Sequence, residues 1–225
     1  PSEPAICAGG NVELTGPDGF GYLWSNNATT QSITVSPLTN TTYYLTITDL
    51  ATSCQNSSSV LVTVNPLPTI TFTTVPNDTI CSGTPITITA NAGPNKRYNW
   101  LLTSQTGPIL HATPLNNDSH PVTAIFVVEA TDTITGCVAK DTQLVVVMPL
   151  PHPVITSDDD TICAGQTATL DAGAGYMFYR WNIGDSTTRT ISVTTTGTYT
   201  VTITDMYECE ADTSFFVQVN PVPVI

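Results

Sequence analysis

The chain has 225 residues, 40% of them apolar, and carries 18 acidic side chains against five Lys and Arg, for a net charge of −13. Five cations cannot neutralise a run of phosphates, which excludes nucleic acid as a partner, and the same shortage excludes an anionic membrane surface. No apolar run reaches the ~18 residues a membrane helix needs.

Thr is abundant while Lys, Glu and Ala are sparse, a composition that disfavours helix and suits half-exposed strands. In chain order, AICAGGNVELTG (5–16) sets Cys7 ahead of a first strand-like run. Few residues precede Cys7, so the opening strand of this segment is expected to be mostly missing. Trp24, YYLTITD (43–49), Cys54 and VNPLP (64–68) follow. The second segment has room for an opening strand, TITFTTV (69–75), before TICSGTPITITA (79–90). There PITITANA alternates with period two, GPNK reads as a turn and RYNWLL carries Trp100. Residues 103–121, TSQTGPILHATPLNNDSHP, have no strong period. They are expected to form an enlarged loop or an added edge hairpin, the first place to look for specific binding. FVVEATD (126–132), Cys137 and VMPLP (147–151) close that segment. The third repeats the order with TICAGQTATLDA (161–172), Trp181, YTVTITD (199–205), Cys209 and VNPVP (219–223).

The internal repeat decides the architecture. Short alternating strands separated by turns predict an all-β chain of three tandem immunoglobulin-like β-sandwich modules in an extended array, with no significant helix. The expected modules are 1–66, 67–149 with the insert 103–121, and 150–221, with 222–225 beginning a following one. The chain does not begin with Met and shows no signal peptide, so it reads as a window in a longer array. Trp24, Trp100, Trp181, Tyr43, Phe126 and Tyr199 hold equivalent places and read as core. Pro-x-Pro at each boundary cannot continue a sheet ladder and resists bending, so it reads as a stiff joint.

Six cysteines in a repeating pattern read as disulfides in an oxidising compartment, not as a metal site or a catalytic thiol. Two pairings are open. One places a bridge inside each segment: 7–54, 81–137 and 163–209. The other crosses the joints, Cys7 to Cys137 and Cys81 to Cys209, leaving Cys54 and Cys163 for modules outside this window. Strand order favours the second. The first cysteine of each segment lies at one pole of the sandwich and the second at the other, about 33 Å away for a ten-residue strand, whereas bridged Cα atoms lie within ~7 Å.

No acid, base and nucleophile converge in the sequence, which argues against an enzyme. No cofactor is indicated beyond a weak calcium candidate, Asp158, Asp159 and Asp160 in SDDDT, whose counterpart in the second segment has one carboxylate. The reading favoured is a structural stalk or spacer that transmits force and projects a binding tip. The alternatives are a carbohydrate- or calcium-binding module, or lateral assembly into a surface filament. The expected partners are neighbouring repeats, other copies or surface glycans, without membrane insertion.

The motif set ICAG, LTG, YLWSNN, SITVSP, TTYYLTITD and VNPLP resembles the tandem immunoglobulin-like or PKD-like repeats of large Bacteroidota surface proteins. The second segment departs most from it. The resemblance implies secretion through the type IX system, display at the bacterial cell surface, and a stalk role in adhesins used for attachment and gliding. It implies no catalytic residues. It also implies O-glycosylation in Asp-Ser/Thr contexts, for which Thr79, Thr133, Thr161 and Ser186 are candidates; the competing reading is that Asp-Thr opens a turn. The N-x-S/T matches at Asn27, Asn40, Asn56, Asn77 and Asn117 arise readily by chance in so Thr- and Asn-rich a chain.

Overall fold

The computed structural model describes residues 3–184 and 186–223. Every named element is a strand. The first repeat contributes β1 Ala5–Cys7, β2 Val12–Thr15, β3 Phe20–Trp24, β4 Ser32–Val35, β5 Thr41–Asp49 and β6 Gln55–Asn65. The second contributes β7 Thr71–Val75, β8 Thr79–Cys81, β9 Ile86–Asn91, β10 Lys96–Trp100, β11 Ile109–Ala112, β12 Val122–Asp132 and β13 Val138–Met148. The third contributes β14 Thr156–Ser157, β15 Thr161–Cys163, β16 Ala168–Asp171, β17 Phe178–Trp181, β18 Thr190–Val193, β19 Gly197–Thr204 and β20 Glu210–Asn220.

Each repeat forms two sheets of the same order. One runs β1-β6-β5-β3, then β8-β13-β12-β10, then β15-β20-β19-β17 through the three repeats. The other is β2-β4, β7-β9-β11 and β14-β16-β18. The opening strand switches sheets: β14 pairs antiparallel with β16, and β15, a few residues on, pairs parallel with β20. This is the immunoglobulin-like plan. The chain divides into two compact units, one of residues 1–73, 89–110 and 126–142, the other of 74–88, 111–125 and 143–225. The second repeat contributes to both.

The cores follow from alternation. In β16 and β18 every second side chain is buried, and the register sets Ala168 opposite Val193 and Leu170 opposite Ile191. These cross-strand pairs close over Trp181, Tyr199, Val201, Ile203 and Val217 from the facing sheet. The first repeat builds a smaller core from Leu14, Trp24, Ile33, Val35, Leu45 and Val62. In the second, Phe72 of β7 lies against Trp100 of β10, ring centroids 6.3 Å apart. All three tryptophans are buried, and each indole N–H has one task. It donates to a carbonyl of the loop leading to the next strand: Thr30 at 2.9 Å, Gly107 at 3.1 Å and Thr188 at 2.9 Å. A buried indole needs such a partner, and here the partner anchors a crossing loop. Tyr199 is buried and its hydroxyl donates to the Thr195 carbonyl at 2.7 Å, pinning the corner into β19. Tyr43 and Phe126, at the same place, are half-buried.

Residues 103–121 do not form an added hairpin. They contain β11, the second-repeat counterpart of β4 and β18. The excess length falls in 113–121, between β11 and β12, where the other repeats need only 36–40 and 194–196. Strand β11 shows no alternation in the sequence because only Leu110 among its four residues is fully buried. All three last strands stop one residue before the first proline of the joint: β6 at Asn65, β13 at Met148 and β20 at Asn220.

Replacing Trp181 with Ala removes the largest core side chain of the third repeat and is expected to destabilise it by about 3–5 kcal/mol. Tyr199→Phe, which deletes one hydrogen bond, is expected to cost about 1 kcal/mol. Urea unfolding with the disulfides intact measures both.

Candidate functional site

The parallel strand that opens each large sheet places a cysteine at the far end of the last strand. Cys7 pairs in register with Asn65, Cys81 with Met148 and Cys163 with Asn220. The second cysteine of each repeat precedes that same last strand: Cys54 before β6, Cys137 before β13 and Cys209 before β20. An eleven-residue strand therefore separates the two cysteines of each repeat, about 35 Å at the usual rise. The bridges cross the joints instead. Cys7 is bonded to Cys137 with Cα atoms 5.5 Å apart, and Cys81 to Cys209 at 5.6 Å. Cys54 and Cys163 are free and exposed. Cys137 and Cys209 are fully buried.

Two local structures hold the sulfurs. The first is a Cys-x-Gly turn. Gly10 N–H donates to Cys7 O, Thr84 N–H to Cys81 O and Gln166 N–H to Cys163 O, at 2.8, 3.1 and 2.9 Å. The central Gly9, Gly83 and Gly165 have φ of 83°, 80° and 93°, the left-handed region in which a side chain is strained although space is open around each Gly9 and Gly165 Cβ position. The second is an aspartate-capped turn. Asp132 Oδ1 accepts from Ile134 and Thr135 N–H at 2.8 and 2.9 Å, while Asp132 N–H donates to Cys137 O at 2.8 Å. Asp49 does the same for Ala51, Thr52 and Cys54, and Asp205 for Tyr207 and Cys209. The sequence signals this aspartate by its fixed distance from Tyr43, Phe126 and Tyr199, but not its role, which depends on a turn that folds back onto its own carboxylate. The Lys96 ammonium, 2.7 Å from Asp132 Oδ2, holds that carboxyl well below the usual range, helped by the Thr135 and Ile134 amides. Amides of Thr52 and Ala51 lower Asp49.

The long connection 113–121 braces one of these turns. Gly83 N–H donates to Pro114 O at 2.9 Å, and Asn116 N–H to Ser82 Oγ at 2.8 Å. Asn116 is buried, donating from Nδ2 to His120 O and Val147 O and accepting from Asp118 N–H at Oδ1. Every polar atom of its side chain is thus engaged in fixing the loop to the Cys81 turn, which accounts for part of the extra length without a ligand.

The other candidates scatter. Asp158 Oδ1 accepts from Thr169 N–H at 2.6 Å, which lowers its pKa and commits it to the β14–β16 corner. Among the described residues no three His, Cys, Asp or Glu side chains gather as metal ligands, Asp158, Asp159 and Asp160 included. Thr79, Thr133 and Thr161 are exposed, although Thr133 Oγ1 donates to Asn95 O. Ser186 is half-buried against Thr188, and Asp185 lies outside the described residues. No helix among the described residues is long and apolar enough to cross a membrane. Two disulfides fit an oxidising, extracellular setting.

No protein-family model matches the chain, and no curated protein matches it. Among solved structures it is similar to the full ectodomain (Ig1–Ig3) of mouse nectin-like molecule 4, at 14% identity over 99% of this chain and 98% of that one, TM-score 0.38. It is also similar to a three-Ig-domain fragment of titin, at 12% identity over 97% and 95%, TM-score 0.40. An ICAM-5 ectodomain fragment shares 14% identity over 98% of this chain and 75% of that one, TM-score 0.42. The immunoglobulin-like plan rests on the strand order above, not on these likenesses.

Cleavage before aspartate puts each of the six cysteines on its own peptide. Without reductant it is expected to yield linked peptides for Cys7 with Cys137 and Cys81 with Cys209, and alkylation of the native protein should label Cys54 and Cys163 alone. Acid is expected to destabilise the fold through the capped turns. With the folded-state pKa of Asp49 and Asp132 lowered, their stabilisation is complete above the unfolded value of about 3.9 and is lost as pH falls through the folded one. Thermal melts from pH 6 down to about 2 should show Tm falling below about pH 4, less steeply in Asp132→Asn.

Proposed function

We propose that the chain is a force-bearing spacer of a secreted protein displayed at the bacterial cell surface, with each repeat acting as one module of a stalk. The likeness of its repeat motifs to those of large Bacteroidota adhesins supports the cellular setting and export through the type IX route. The reading assigns no catalysis to the chain. Its acidic, Thr-rich exterior stays hydrated.

The observation that carries the proposal is the overlap of the two bridged loops. Their sequence separations are 130 and 128, and residues 81–137 lie inside both. A chain pulled by its ends until all strands part runs from Cys7 through the first bridge to Cys137, back along the chain to Cys81, and through the second bridge to Cys209. That route spans roughly 56 residue steps, from 81 to 137, or about 200 Å. Without the bridges the route from 7 to 209 spans roughly 202 steps, or about 700 Å. Staples inside single repeats would be arranged in series and would not share a segment. Pro-x-Pro links complete the device, because they end each ladder and limit bending between repeats.

Single-molecule pulling on the ends of the oxidised chain is therefore expected to reach a full extension of about 200 Å between Cys7 and Cys209, rising to about 700 Å after reduction. Equal full extension in the two states would refute the spacer mechanism.

A further inference from the structure

Cys54 and Cys163 are exposed in positions whose counterparts are bonded. We infer that they are the two complementary halves of one more staple, each built to accept the opposite half from another repeat module of this kind. The inference deepens the spacer reading and rests on it for the purpose of the bond, though not for the chemistry. The partner class is specific: a module presenting a Cys-x-Gly turn to Cys54, or an aspartate-capped cysteine turn to Cys163.

The internal repeat supplies the ligated comparison. Cys163 occupies the place of Cys7 and Cys81, both of which hold a sulfur partner. Cys54 occupies the place of Cys137 and Cys209, which are those partners. Burial changes with ligation: Cys137 and Cys209 are fully buried at their joints, whereas Cys54 stands exposed. The match is closest to the Cys7–Cys137 joint. Cys163 and Cys7 both begin the tripeptide Cys-Ala-Gly, and the amide of the Ala donates at 2.8 Å to the last residue of the sheet, Asn220 O or Asn65 O. Asp49 to Cys54 has the same length as Asp132 to Cys137, whereas Asp205 to Cys209 is one residue shorter. A Pro-x-Pro link follows Asn220 as it follows Asn65. Both free thiols are thus held in the backbone frame of a joint already bridged.

The pairing is directional. Cys54 lies at the start of a last strand and Cys163 at the end of one, so equal halves do not match and only Cys54 with Cys163 completes a joint. The bond needs a two-electron oxidant, for which a small-molecule disulfide serves. One thiolate attacks glutathione disulfide and releases one glutathione. The partner thiolate then attacks the protein sulfur of the mixed disulfide and releases the second, and the two protons lost by the protein thiols end on the two released glutathione thiolates. The joined product is a head-to-tail chain with a heterologous, non-closing contact.

The test uses two full-length variants, each with one free thiol, in glutathione redox buffer at moderate salt so that the acidic chains are not held apart. Cys54→Ser retains Cys163 and Cys163→Ser retains Cys54. Each alone is expected to remain monomeric on non-reducing electrophoresis, and the equimolar mixture to give a dimer in at least about tenfold excess over either alone. Peptide mapping should then find Cys54 linked to Cys163 with both native bridges in place, which also shows that the variants fold. Dimers formed as readily by either variant alone would mean indiscriminate oxidation and overturn the inference, as would a mixture that stays monomeric. Either result would leave the pulling measurement, which depends only on the two existing bridges, to judge the spacer reading separately.

Discussion

One pairing governs the molecule: a short strand lying parallel to the last strand of its own sheet. Its cysteine is carried to the pole where the last strand ends, while the other cysteine of the repeat sits where that strand begins. Eleven residues of extended chain stand between them, several times the reach of a disulfide. Covalent closure inside a repeat is barred by length alone. Each sulfur can be satisfied only across a joint, and the bridges therefore connect repeats instead of stabilising them singly.

That arrangement suits the first repeat, where six buried apolar residues form the centre against twelve in the third, since a small core leaves a domain marginal. A cross-joint bridge removes conformational freedom from a long stretch of unfolded chain. The turns that present the sulfurs are held by their own backbone bonds in all three repeats, whether or not the sulfur is bonded. The frame therefore does not depend on the bond.

The second repeat differs at the segment that both bridged loops share. Residues 81–137 lie inside both bridged loops, and it is here that the longest connection occurs, with buried Asn116 tying residues 113–121 to the Cys81 turn. Length that reads as a binding loop is, in good part, bracing. Sequence could not show this, because the partners of Asn116 lie 34 and 31 residues away and an asparagine in a polar stretch looks solvated. The capping aspartates were visible as a constant spacing, yet their task depends on a turn closing over a carboxylate, which spacing alone does not reveal.

By itself the sequence determined what is local or periodic. It set the three repeats, the strands with their alternating buried positions, the tryptophans as core, and the ends of the last strands at proline, because pleat, side-chain burial and the missing proline N–H act over a few residues. The sulfur pairing was favoured by the strand order the repeats imply, and the tertiary structure realised it; the tertiary structure alone decided where β11 pairs and that Asp158 holds a strand corner. Those outcomes depend on strand order and on groups brought together from distant parts of the chain, where periodicity carries no information.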